Sequence, residues 1–173
     1  PYKGLLMTIK QMDSASKLNL ACGKEYLDGY VNIDNCSMYD CHVDLEADIR
    51  TMKWNENSLD EIRLSHFMMY VRPEEARVLF KRWFSWLKKG GVLDIETIDV
   101  QNVANIVAMG DGPSEINDYG LVNLFGTDRT GPHRWGWYRE SLLTELYDAG
   151  FKTCRIRDGK KKPKRDFRVL AIK

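Results

Sequence analysis

At 173 residues, 43% apolar and 29% charged, the chain has the size and composition of one folded domain, residues 1–173, and not of a disordered polymer. No apolar run approaches the ~18–20 residues that cross a bilayer, so no membrane span is expected. The net charge of +1 is unevenly placed: from Lys152 to Lys173 there are ten basic and two acidic side chains, and the remainder is acidic on balance.

Short runs rich in Val, Ile and Leu at Lys17–Leu20, Tyr30–Ile33, His42–Leu45 and Leu59–Leu64 read as strands. The strongest helix pattern is Pro73–Lys89. Pro73 suits the first helical position, Glu74 and Glu75 complement the positive helix end, and Ala76, Leu79, Phe80, Trp83 and Leu87 form one stripe. Gly90 is expected to supply a left-handed stop. Val92–Ile95 is a fifth strand, Asp99 caps a weaker helix through Val107, and a short helix is expected over Ser114–Phe125. Arg139–Ala149 is the last helix, ended by Gly150, and Phe151–Ile156 and Phe167–Ile172 are the last two strands. The pattern predicts a three-layer, Rossmann-like α/β fold: a seven-stranded, mostly parallel sheet with helices on both faces. Arg157–Asp166 contains Gly159 and Pro163 and no helical pattern, so the last strand is expected to run antiparallel. The Lys/Arg cluster then decorates a solvated turn, and no nucleic-acid partner is expected of it.

Cys22, Cys36, Cys41 and Cys154 show no CxxC spacing, and Pro1–Gln11 lacks the long apolar core of a secretion signal. Reduced thiols and a cytoplasmic setting are therefore expected. Cys36, Cys41 and His42 do not make a closed zinc set, so no metal is expected.

Ligands of open α/β sheets bind beyond the carboxyl ends of the strands. Those ends carry Ala21-Cys22-Gly23, then Asp34, then Asp44, Glu46 and Asp48, then Ser65 and His66, then Glu96 and Asp99. One small turn and a row of acids suit a nucleoside. An acid at the second strand end can accept hydrogen bonds from two ribose hydroxyls, and Gly23 leaves the backbone open to a ligand. A dinucleotide fits poorly, because its pyrophosphate calls for a glycine-rich turn opening a helix. Gly23 and Asp34 are only 11 positions apart, against the ~20 expected with a full crossover helix. The first crossover is expected to be an extended loop or a short helical turn. A cationic, phosphate-free nucleoside such as S-adenosylmethionine suits the acidic rim.

LNLACG (18–23), DGYVNID (28–34), DLEADI (44–49), NSLDEIRLSH (57–66) and LKKGGVLDIE (87–96) resemble, in order, the motifs of small class I S-adenosylmethionine-dependent methyltransferases. The type resembled reads LNLGCG, GYVNID, SHVLEH and LKPGG and often serves glycan or small-molecule biosynthesis. HRWGWYRESLLTELYDAGF (133–151) extends the likeness more weakly. The resemblance implies methyl transfer from S-adenosylmethionine to a small-molecule or sugar-type acceptor. It places Leu20, Ala21, Cys22 and Gly23 beneath the methionine and ribose and Asp34 on the ribose hydroxyls. Asp48 would meet the adenine amino group, Ile49 the adenine ring, and Leu64, Ser65 and His66 the methyl-bearing side. Asp44 and Glu46 are alternatives to Asp48.

The chain departs from that pattern at Ala21, where glycine is commoner, at Met69 and Tyr70, where Glu-His is common, and at Lys89, where proline is common. Loss of the Glu-His pair leaves open a non-catalytic, methyltransferase-like module that binds a nucleoside or a partner. A nucleic-acid methyltransferase is a further alternative, opposed by Ser65-His66-Phe67-Met68 where such enzymes often carry an Asn/Asp-Pro-Pro-Tyr tetrad. Residues 110–137, with Gly110, Gly112, Pro113, Gly126, Gly131 and Pro132, are not needed for the cofactor motifs and are expected to form a lid-like insertion that recognises the acceptor. His133 is the candidate base there, and His66 is the second catalytic candidate. Trp135 and Trp137 either shape the acceptor pocket or anchor the lid.

Overall fold

Alternating apolar residues in the strand runs give each strand one face to bury, and parallel pairing gives that face to helices. The computed structural model describes residues 15–36, 41–109, 114–128, 130–160 and 162–173, side chains at 114–119 excepted. Gly110, Gly112, Pro113 and Lys161 lie outside the described residues. The strands are β1 (Lys17–Leu20), β2 (Val31–Asp34), β3 (Leu45–Glu46), β4 (Leu59–Ser65), β5 (Leu87–Ile98), β8 (Thr153–Asp158) and β9 (Asp166–Ile172). They form one sheet in the order β3-β2-β1-β4-β5-β9-β8. β1 to β5 pair in parallel, and β9 runs antiparallel to both β5 and β8, as the helix-free connection before it predicts.

Leu18, Leu20, Val31, Ile33, Ile62, Leu64, Leu93, Ile95, Phe167, Val169 and Ala171 share one face and one buried cluster. Against it pack α1 (Pro73–Trp86), through Ala76, Leu79, Phe80 and Trp83, and α4 (Arg139–Asp148), through Leu142 and Leu146. Arg77 on α1 holds Glu145 on α4 with two 2.8 Å hydrogen bonds. The opposite face is polar. Asn19 lies between Asn32 and Arg63, Arg63 pairs in register with Asp94, and Glu96 with Arg168. Asn19, Asn32, Arg63, Asp94 and Glu96 are all buried. Helical cover is uneven as a result: α1 and α4 take the apolar face, while residues 21–30, the first crossover on the other side, are turns. Ten residues stand at the very bottom of the ~10–12 that a crossover built around a helix needs, and here they hold turns only.

The long helix stops at Trp86, short of the expected Lys89. Leu87 is fully buried and pairs with Leu59 in the sheet, so packing overrides the helical pattern three residues early. Gly90 keeps a left-handed conformation (φ +81°), but as a bend inside β5 and not as a helix stop. After β5 come α2 (Val100–Met109) and α3 (Ser114–Phe125), then a small hairpin of β6 (Gly126–Thr127) and β7 (Gly131–Pro132). A Cβ on Gly120 of α3 would lie 2.5 Å from Val107 Cγ2 of α2, so the two helices cross through that glycine.

Candidate functional site

A cavity of about 940 Å³ opens over the carboxyl ends of the parallel strands. Its base is set by backbone conformation. Ala21 (φ +50°) and Gly23 (φ +57°) both turn left-handed after β1. The Gly23 N–H is thereby brought to Asp34 Oδ2 at 2.9 Å, and the Cys36 N–H reaches Asp34 Oδ1 at 3.2 Å. Each oxygen of this buried carboxylate thus takes one backbone donor and keeps further acceptor capacity. The Cys22 N–H donates to Ile33 O at 3.1 Å, which ties the turn to β2. Burial, aided by the Asp34 charge, pushes the Cys22 thiol up to about 12 and keeps it an inert wall.

Beyond β3, Asp48 and Ile49 line the same cavity. Asp48 Oδ1 accepts from the Arg50 N–H at 2.9 Å, and its side chain is 43% exposed. Asp44 faces elsewhere, with Oδ2 taking the Asn32 N–H at 2.8 Å and Oδ1 the Tyr26 hydroxyl at 2.9 Å. Glu46 is exposed and does not line the cavity. Of the three acids weighed for one position, Asp48 is the one that lines the cavity.

Ser65 ends β4 and His66 follows it, both at the cavity wall. His66 is left-handed (φ +55°), and its N–H donates to Glu96 O at 2.8 Å. Its Nδ1 lies 3.1 Å from Ser65 Oγ and its Nε2 2.9 Å from Asp166 Oδ2. Asp166 is fully buried at the start of β9. Burial works to raise it, but hydrogen bonds from His66 and Arg165 outweigh that and hold it below the ordinary carboxylate value. Arg165 forks it, with Nη2 2.6 Å from Oδ2 and Nε on Oδ1. Arg165 therefore turns inward, a correction to its place among the solvated cluster. Lys160, Lys162 and Lys164 do lie exposed around the turn.

Another wall comes from Thr130, Gly131, Pro132 and Arg134, together with Phe67 and Tyr70. The strip 133–137 is clipped to the turn after β4. Arg134 N donates to Met69 O at 2.8 Å, and buried Trp137 donates from Nε1 to Met68 O at 2.8 Å. Trp137 is thus the anchor, whereas Trp135 is 47% exposed. His133 sits behind the wall. Its Nδ1 is 3.0 Å from Asn123 O, its ring meets Tyr70 edge-on, and burial lowers its pKa below the ordinary histidine value.

The structure gathers Ala21, Cys22, Gly23, Asp34, Asp48, Ile49, Ser65 and His66 at one cavity. Leu20 and Leu64 are not lining groups; their side chains are fully buried in the core. Sequence reasoning missed Asp166 and Arg165, which lie 100 and 99 residues from His66. The only signal was that β9, as antiparallel neighbour of β5, must begin at the same end of the sheet where β4 finishes. It also missed a disulfide: Cys36 and Cys41 are bonded across the loop after β2. Their spacing alone does not show that the two Cα atoms come within 5.7 Å of each other. Among the described residues no group of His, Cys, Asp or Glu is placed to hold a metal, and no helix is long and apolar enough to cross a membrane.

No protein-family model matches the chain, and no curated protein matches its sequence. Solved structures do match. An S-adenosylmethionine-dependent methyltransferase from Mesorhizobium loti has a TM-score of 0.62 at 15% identity, over 94% of this chain and 92% of that one. Human N-acetylserotonin methyltransferase, solved in complex with S-adenosylmethionine, gives 0.56 at 14% identity, over 91% of this chain and 47% of that one. A possible exported protein from Bordetella parapertussis gives 0.59 at 16% identity, over 95% of this chain and 63% of that one. The chain therefore spans less than two thirds of the length of the last two. The sheet order, the antiparallel β9 and these likenesses give the chain the fold of class I S-adenosylmethionine-dependent methyltransferases.

Proposed function

We propose that this chain is an S-adenosylmethionine-dependent methyltransferase acting on a small-molecule or sugar-type acceptor. The observation that carries the reading is Asp34. A buried carboxylate at the end of β2, oriented by two backbone N–H groups, offers paired acceptors for a vicinal diol. The donor set fits the cofactor: a carboxylate for ribose, Asp48 for an amino group, Ile49 as an apolar wall and a glycine turn without a side chain. When bound, the cofactor supplies a methyl group on an already activated sulfonium. The protein is left with alignment and exclusion of water. A volume of about 940 Å³ stands at the upper end of the ~300–1000 Å³ usual for small-molecule sites, which leaves space for a second molecule. Tyr70, Thr130 and Arg134 face that space. His66 lines the cavity and is the base in this reading, and His133 shapes the wall from behind through Tyr70.

A thermal-shift series on the full chain tests this reading. S-adenosylmethionine and its demethylated product should both raise the melting temperature in a concentration-dependent way, and NAD should not. A flat response to the first two would reject the assignment.

A further inference from the structure

We propose that Ser65, His66 and Asp166 form a proton relay at the cavity wall, so that the acceptor is a hydroxyl compound and the transfer is O-methylation. The proposal rests on the cofactor reading above and extends it to the acceptor's reacting atom. A sulfonium methyl needs no base when an amine lone pair attacks it. A hydroxyl oxygen is a poor nucleophile until its proton has somewhere to go. The structure supplies that destination.

The imidazole is held at three points. Its backbone is left-handed and tied to Glu96 O at 2.8 Å, a strained conformation for a non-glycine residue that persists where the surroundings enforce it. Nε2 is 2.9 Å from Asp166 Oδ2, and Nδ1 is 3.1 Å from Ser65 Oγ. The Asp166 carboxylate is fully buried and forked by Arg165, whose Nη1 is tied in turn to Asn123 Oδ1 at 3.1 Å. An anion held 2.9 Å from Nε2 favours a proton on that nitrogen, because two lone pairs would otherwise face each other. Arg165 Nη2 also lies 2.9 Å from Nε2. Donation from it to a bare Nε2 would set the ring lone pair against the Asp166 oxygen, so its hydrogen bond goes to the carboxylate instead. The relay accordingly takes the tautomer with the proton on Nε2, which keeps the Nδ1 lone pair for the Ser65 hydroxyl. Asp166 and Arg165 act through the ring and are positioning residues; Ser65 and His66 face the cavity.

The proton path balances. An acceptor hydroxyl set against Ser65 Oγ gives its proton to that oxygen while Ser65 passes its own to His66 Nδ1. The ring becomes imidazolium, stabilised by the Asp166 charge. The electron pair freed on the acceptor oxygen enters the new bond to the methyl carbon, and the pair of the broken carbon–sulfur bond stays on sulfur.

Two measurements decide the matter. Long-range 1H–15N correlation spectra of the full chain without cofactor should show the neutral His66 ring protonated on Nε2, with the tautomer moving toward Nδ1–H in Asp166→Asn, whose amide can donate to Nε2. A wild-type ring protonated on Nδ1 overturns the relay, and this result needs no folded variant. In the second measurement, benzyl alcohol, catechol and glucose are compared with benzylamine as acceptors by release of the demethylated cofactor. His66→Gln should slow a hydroxyl probe by about 100-fold while leaving calorimetric affinity for the demethylated product within about threefold. Equal rates for wild type and His66→Gln on a hydroxyl probe, or preference for the amine, overturn the proposal. Failure of wild type to bind the demethylated product would instead strike the cofactor reading, which the tautomer does not depend on.

Discussion

Ala21 stands where related motifs carry glycine, and the structure shows what that substitution entails. With φ at +50°, its Cβ crowds the following backbone, at roughly 1–2 kcal/mol relative to glycine. The turn is kept because it delivers the Gly23 N–H to Asp34. Ala21→Gly should therefore raise stability by about 1 kcal/mol, part of the relief being offset by the freer unfolded chain. Urea unfolding checks this, and a loss of stability would mean that the alanine methyl packs favourably enough to outweigh the strain. The carboxyl of Asp166 gives a second prediction. Its folded pKa is depressed, so the stability it contributes is present above the unfolded value and is lost as pH falls through the folded one. Wild type should thus lose stability relative to Asp166→Asn as pH drops below about 4. Parallel unfolding curves at every pH would show that the fork from Arg165 and His66 does not favour the charged form.

At the level of elements, α2 and α3 meet in a tight helical crossing. Gly120 lets α3 approach Val107 of α2, where an added Cβ would come within 2.5 Å. Gly120→Ala should destabilise the chain by roughly 1–3 kcal/mol through overpacking, and Val107→Ala in the same chain should restore much of that loss. Additive losses in the double variant would place the strain elsewhere. The elements themselves were largely legible in the sequence. The periodicity of Ala76, Leu79, Phe80 and Trp83 and the punctuation by Pro73, Gly150 and Pro163 located α1, α4 and the final antiparallel turn. What misled was Leu87. It continues the helical stripe, yet its fully buried place opposite Leu59 belongs to the sheet. A side chain that satisfies both patterns is assigned by tertiary packing, which local spacing does not encode. The pairing of Cys36 with Cys41, the inward turn of Arg165 and the contact of Asp166 with His66 were hidden for the same reason.

For the molecule as a whole, the first crossover is the distinguishing feature. With only turns over residues 21–30, the polar side of the sheet buries Asn19, Asn32, Arg63 and Asp94 in a network of side chains. A second, smaller cavity of about 230 Å³ lies on that side, lined by Arg63, Asp94 and Arg168 among others. The apolar side alone carries the large core, and Arg77 with Glu145 locks its two helices together. This division leaves the strand ends free to hold the site, with Gly23, Asp34 and Asp48 on one side of the cavity and Thr130, Pro132 and Arg134 on another. The central claim is that Asp34 grips a ribose diol there. Calorimetric titration of wild type and Asp34→Ala with the demethylated cofactor tests it most directly. Charge-assisted hydrogen bonds are worth about 1.5–3 kcal/mol each, so Asp34→Ala should weaken binding at least ~10-fold in a protein that melts as a folded chain. Equal affinity in the two proteins would contradict the account.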